Sequence, residues 1–202
     1  MTEKDHILGF FCDTGFIIGL CIETDNHHQE CAKLTAKYPI EKHDYFTCLI
    51  VCDEVNHWIH RLTGKLIEEE GDKGTKIIER KLKRYFNNFL LKIEVFDVDD
   101  VETEATETLK EVYNQIILDL QNLIGYMTPN QINDIKIIAT ALIWGAYTNC
   151  YVHKCFLTVD KGHIFDKRDK IYRIGCRCLK TKNPPLRIKY VGCSSGDGNL
   201  AS

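Results

Sequence analysis

Residues Gly9 to Leu20 read GFFCDTGFIIGL, an apolar run broken at Asp13 and followed by Thr14 and Gly15. An aspartate displayed this way suits an aspartic protease, a haloacid-type phosphatase, or a strand that delivers an acid to a metal or phosphate. A two-lobed protease needs a second Asp-Thr-Gly or Asp-Ser-Gly, and neither recurs. The phosphatase needs a second aspartate two residues on, where this chain has Gly15. The third chemistry gathers more acids: Asp13 and Asp160 at the ends of expected strands, Glu54 and Asp134 in the first turns of expected helices. Carboxylates crowded into one site repel, and a hard cation such as Mg²⁺ or Mn²⁺ neutralises them. Such an ion activates water and stabilises the oxyanions of phosphodiester cleavage. Taken singly, each acid also has a plain structural use, as a helix cap, an Asx turn or a partner of the helix dipole.

The elements that must position these acids follow from hydrophobic periodicity. HILGFFCD is a nearly continuous apolar run and predicts a buried strand ending at Asp13. Helices are expected over 16–22 and 24–38, the second closed by Pro39. The stretch from Tyr45 begins extended and turns helical from about Cys52, which puts Glu54 in a first turn and Asp53 on another face. Gly71 to Gly74 reads as a loop, and the apolar face from Ile77 to Leu90 as a helix. KIEVFDV alternates as a strand, and Leu109 to Ile124 recurs at intervals of three and four up to Gly125. Asp99 and Glu102 stand where that helix should begin. After a break at Pro129, INDIKIIATALIWGAY is a helix opened by Asp134, and KCFLTVDKG a buried strand ending at Asp160. Strands alternating with helices predict an α/β protein, three layers with a central parallel sheet covered on both faces, plus long extra helices.

The 202 residues suit one domain: residues 1–170 as the core unit, then 171–202 as a basic extension, joined to the domain as far as about 192, with the flexible tail SSGDGNLAS. MTEKDHILG lacks the basic start and long apolar core of an export signal, and no apolar run spans a bilayer, so a cytoplasmic chain without a membrane partner is expected. The ten cysteines are then reduced thiols, with Cys48 and Cys52 acting as small hydrophobes. Cys176, Cys178 and Cys193 match no zinc-ribbon spacing. GDKGTK lacks the spacing and preceding strand of a phosphate loop. Residues 1–153 hold 15 Lys and Arg against 25 Asp and Glu, whereas residues 154–189 hold 11 against 3. An acidic body beside a basic segment suits separate places for a cation and a polyanion.

Four stretches in this order resemble the PIN-domain ribonucleases: FFCDTGFI, VCDEVNHWI, INDIKIIATAL and FLTVD. The resemblance runs from about Ile7 to Phe165. It implies a PIN-like nuclease whose metal-binding and catalytic acids are Asp13, Glu54, Asp134 and Asp160, supported by the hydroxyls of Thr14 and Thr158. It also implies cleavage of RNA with Mg²⁺ or Mn²⁺, leaving a 5′-phosphate and a 3′-hydroxyl; the alternative is a noncatalytic PIN-like module that binds RNA or protein. Lys154, Lys161, Lys167, Arg168 and Lys170, on either side of the fourth acid, are the expected contacts to the RNA backbone. An antitoxin-like protein partner and a homo-oligomer are compatible with the family. Where the family often has an aromatic after the last aspartate, this chain has His163 and Ile164, then Phe165 and Asp166.

Overall fold

The computed structural model describes residues 8–70, 72–101, 106–125, 128–148 and 150–192. His6 and Ile7, Glu102, Cys193 and the expected tail lie outside the described residues. Five parallel strands form one sheet in the order β3-β2-β1-β4-β5: β1 is Leu8–Cys12, β2 Asp44–Thr47, β3 Glu94–Val95, β4 His153–Thr158 and β5 Arg187–Tyr190. Between them come α1 (Thr14–Cys21), α2 (His28–Lys37), α3 (Leu49–Glu70), α4 (Asp72–Leu90), α5 (Thr106–Ile124), α6 (Pro129–Tyr147) and α7 (Arg168–Cys178).

β1 is central and, from Gly9 to Cys12, buried on both faces, as its unbroken apolar run requires. Phe10 meets the rings of Tyr38, His43 and Tyr45; Phe11 on the other face meets Trp144 of α6 and Phe156. The helices divide accordingly. α1 contacts α2, α3 and α4, whereas α5 contacts α6 and α7. This is the arrangement that right-handed crossovers produce when the chain first moves outward to β3 and then returns to β4. The middle of α6 is buried nearly all round, from Ile135 to Trp144, so it is an interior helix rather than an amphipathic cover.

Several boundaries differ from expectation, for local reasons. α3 starts at Leu49, three residues early, and the expected loop at 71–74 shrinks because α4 begins at Asp72. Pro129 does not break a helix but occupies the first turn of α6, behind a capping box formed by Thr128 and Gln131. Asp99 lies in a short 3-10 turn, Val98–Asp100, ahead of α5. α5 ends at Gly125, whose φ of 87° is the left-handed conformation glycine tolerates. The strand KIEVFDV is reduced to Glu94–Val95 at the sheet edge. β5, absent from the expectations, pairs with β4, and α7 packs on α5, so the chain beyond residue 170 continues the same layers through Tyr190. The nine described cysteines are free thiols, and no described helix is long and apolar enough to cross a membrane.

Gly9 lets the aromatic layer lie flat on β1. A Cβ there would stand 2.9 Å from Tyr151 and 3.0 Å from Trp144. Gly9→Val should therefore destabilise the protein although valine favours strands, because overpacking costs about 1–3 kcal/mol against a propensity gain of at most ~1. Thermal denaturation should show a midpoint lowered by roughly 2–8 °C; an unchanged midpoint would mean that the aromatic layer yields freely.

Candidate functional site

In a parallel sheet the carboxyl ends of all strands share one edge, and ligands bind where the crossovers diverge. Here that place lies between β1, which crosses over to β2, and β4, which crosses over to β5. Asp13 follows β1 and Asp160 follows β4 by two residues, so both flank the divergence point. A cleft of about 190 Å³ opens there, lined by Asp13, Asp134 and Asp160, with Thr14, Gly15 and Val159 in its wall.

Asp13 is the most constrained member. It is 7% exposed and caps α1, its carboxylate accepting the Phe16 N–H at 2.6 Å and a hydrogen bond from Thr158. Its own N–H donates to Leu157 of β4 at 3.1 Å. Burial is the main cause that pushes its carboxyl up to about 7; the Thr158 and Phe16 hydrogen bonds oppose the rise, and the charges of Asp134 and Asp160 add to it. Thr158, itself wholly buried, also accepts the N–H of Asp160 at 3.0 Å, so one hydroxyl ties both strand-end acids together. Gly15 has a packing reason: a Cβ would stand 2.5 Å from Val159.

Glu54 and Asp134 come from helices, each in the second turn and not the first, because α3 and α6 both begin five residues earlier. Neither is a cap. Asp134 is pushed up to about 6 by burial, then by the charges of Glu54 and Asp160, with His163 opposing. Glu54 stands beside the cleft rather than in its wall. Its carboxylate accepts Thr14 Oγ1 at 2.5 Å and Asn133 Nδ2 at 2.9 Å, which fixes it to α1 and α6. Asp53 is exposed, on a different face from Glu54. Asp160 accepts the His163 N–H at 2.7 Å and contacts the His163 ring nitrogen at 3.2 Å.

Neither Asn133 nor His163 was among the expected site residues, although His163 was noted after the last aspartate. Asn133 could have been suspected as a second polar residue beside Asp134 in an otherwise apolar stretch; His163 carries no such local signal. The basic residues divide. Lys161 and Lys170 are exposed and Lys167 is half-buried, all just beyond Asp160. Arg168 lies over the Phe165 ring at 4.4 Å and donates to the Phe165 carbonyl at 3.2 Å. Lys154 does not belong with them. It is the second residue of β4, about 20 Å of strand before Asp160, and its ammonium donates to the carbonyls of Gly145 and of Thr148, the latter at 2.8 Å, at the end of α6. Of the cysteine group, Cys193 lies outside the described residues, and Cys178 donates to Asp119 at 3.3 Å.

The donor set decides which ion would fit. Among the described residues no three His, Cys, Asp or Glu side chains already close on one point. Among these residues there is thus no preformed all-protein cage of the kind structural zinc uses. The cleft sets three carboxylates among Thr14, Ile137, Val159 and Ile164, and a Mg²⁺ or Mn²⁺ ion there would need only one or two of them and keep several waters.

No family model matches the chain, and no curated protein matches it. Among solved structures it is similar to a chain in the crystal structure of VapBC2 from Rickettsia felis bound to a DNA fragment from their promoter, at 12% identity and a TM-score of 0.51. The match covers 90% of this chain and 98% of that one. The likeness is one of fold: a PIN-like α/β/α arrangement around an all-parallel sheet.

Proposed function

We propose that the chain is an endoribonuclease that hydrolyses RNA phosphodiester bonds with Mg²⁺ or Mn²⁺. The observation that carries this reading is the convergence of Asp13, Asp134 and Asp160 on one cleft at the divergence point of the sheet, with the raised carboxyls of Asp13 and Asp134 as its electrostatic mark. Asp13, Asp134 and Asp160 would hold the cation, with Glu54 beside them. The bound ion supplies a nucleophilic water at neutral pH and charge stabilisation at phosphorus. The chain's own groups set the geometry. Thr158 and the Phe16 N–H orient Asp13, Thr14 and Asn133 orient Glu54, and His163 holds Asp160. Lys161, Lys167 and Lys170 would steer the phosphate backbone toward this edge. Products ending in 5′-phosphate and 3′-hydroxyl follow from the resemblance to PIN-domain ribonucleases. The solved neighbour belongs to a VapBC2 complex, which supports an antitoxin-like protein partner for this chain and makes a homo-oligomer a natural question. The second reading is a noncatalytic PIN-like module that binds RNA or protein without cutting, in which the same acids act only through their hydrogen bonds.

Cleavage separates the two. Asp13→Asn keeps the shape and the α1 cap, since asparagine also accepts the Phe16 N–H. The variant should lose Mn²⁺-dependent cleavage of single-stranded RNA in a gel assay while melting no lower than the parent. Parental cleavage by Asp13→Asn, with the same metal dependence, would remove Asp13 from the site.

Linkage provides a second test. A carboxyl whose folded pKa lies above its unfolded value of 3.8 gives the folded state extra protons between the two, so stability is lost as pH rises toward the folded value near 7. Without metal, the melting temperature should fall as pH rises from about 5 to about 7.5, and Asp13→Asn should flatten the fall. Mn²⁺ at roughly 100 times its dissociation constant should raise the midpoint at the upper end by about 5–10 °C. Its effect should shrink toward the lower end, where protons occupy the same oxygens. A pH-independent midpoint, with no response to Mn²⁺ beyond that of matched monovalent salt, would show the acids to be caps and turns.

A further inference from the structure

Residues 1–153 carry 15 Lys and Arg, and six of these fall in residues 72–90, the span of α4, beside only two acids. The remainder of that region is strongly acidic, so the cluster runs against the charge of its surroundings. α4 buries Phe86 and Phe89 and exposes Arg80, Lys81, Arg84 and Tyr85. Lys83 pairs with Glu79 at 2.6 Å, and Arg80 lies near the same carboxylate. Lys81 and Arg84 have no ion-pair or hydrogen-bond partner among the described residues. Tyr85, one turn beyond Lys81 on the same side of the helix, is 60% exposed. Free cations for phosphates and an open ring for bases form the combination that tracks a single nucleic-acid strand.

A cleft of about 560 Å³ adjoins this face, between α4 and the far end of α1. Leu20, Ile22 and Leu82 give it an apolar floor, and Lys81, Tyr85 and Asn88 a polar wall. An asparagine amide offers both a donor and an acceptor to a base edge. α1 sets the distance to the acidic cleft. Asp13 caps its first residue and Cys21, its last, lines the α4 cleft. Eight residues at 1.5 Å per residue separate the two by about 12 Å, a span that a short single strand covers.

We infer that the Lys81–Arg84–Tyr85 face of α4, with its adjoining cleft, is a second binding surface for single-stranded RNA, which anchors the strand one helix length from the acidic cleft. The inference rests on the reading of this chain as an RNA-directed protein and adds a contact outside the basic segment after Asp160. An acidic polypeptide would use the cations but leave the tyrosine ring idle, so the exposed ring favours bases.

The test is fluorescence anisotropy of a labelled oligouridylate on the full-length protein in EDTA, where cleavage cannot intervene. The Lys81→Glu, Arg84→Glu double variant should bind at least tenfold more weakly. Its slope of log affinity against log salt should shrink by about 1.4, at roughly 0.7 per lost phosphate contact. Tyr85→Ala should cost roughly tenfold in affinity and leave the slope alone, as loss of stacking does. Lys83→Gln, whose ammonium is already paired, should change neither. An unaltered slope in the double variant overturns the inference, as does a competing oligoglutamate that binds as tightly as the RNA and ignores Tyr85→Ala. Mn²⁺-dependent cleavage is scored separately on the parent protein. If cleavage fails while the α4 variants respond as stated, the enzymatic reading falls and this surface stands; if cleavage holds and the α4 variants do not respond, only this surface falls.

Discussion

The structure is organised around a carboxylate that water barely reaches. Asp13 closes the central strand at the point where the crossovers diverge, and burial there raises the free energy of its charged form by about 1.4 kcal/mol for each pKa unit. The surroundings offset part of that cost with fixed dipoles, the Phe16 N–H of α1 and the Thr158 hydroxyl, while the Asp13 N–H, bonded to the Leu157 carbonyl, fixes the backbone that carries the carboxylate. Leu157 and Thr158 lie on β4, which pairs with β1, and Phe16 on the helix that β1 leads into. The site is therefore as rigid as the centre of the sheet.

Two helices transmit that rigidity. α6 carries Trp144 into the aromatic layer on β1 and, near its other end, presents Asn133 and Asp134 to the acidic edge. A displacement of the core is thus a displacement of the site. α1 does the same on the opposite face. Its first residue, Thr14, bonds Glu54, and its second, Gly15, admits Val159 so closely that no side chain fits between them. The Asp-Thr-Gly that first suggests a protease is explained by these three contacts: a cap, a hydroxyl donor and an absent Cβ.

The charge distribution has more structure than the division into an acidic body and a basic end conveys. The acids that face the cleft are few: Asp13 is buried, and Asp134 and Asp160 are half-buried. The cations on α4 form a local exception within the acidic half, and Lys154 in the basic half is spent on closing the end of α6. Linear charge counts average over such differences because they ignore which face of an element a residue occupies.

The sequence by itself determined the alternation of strands and helices, the buried central strand, the end of α5 at Gly125 and the order of the four acids. These follow from apolar periodicity and from residues with singular backbone needs, both of which are local. It misjudged the starts of α3 and α6; at α6 the early turn rests on a Thr-x-x-Gln box that begins before the proline taken as a break. It placed a strand at KIEVFDV but not its reduction to the two residues of β3, and it missed the four-residue β5, since pairing energy lies in neighbours distant along the chain. Tertiary structure alone decided that Asp13, Asp134 and Asp160 share one cleft while Glu54 is held beside it, and that Asn133 and His163 join them. Those relations depend on the strand order β3-β2-β1-β4-β5, and no local pattern encodes which parallel strand lies next to which.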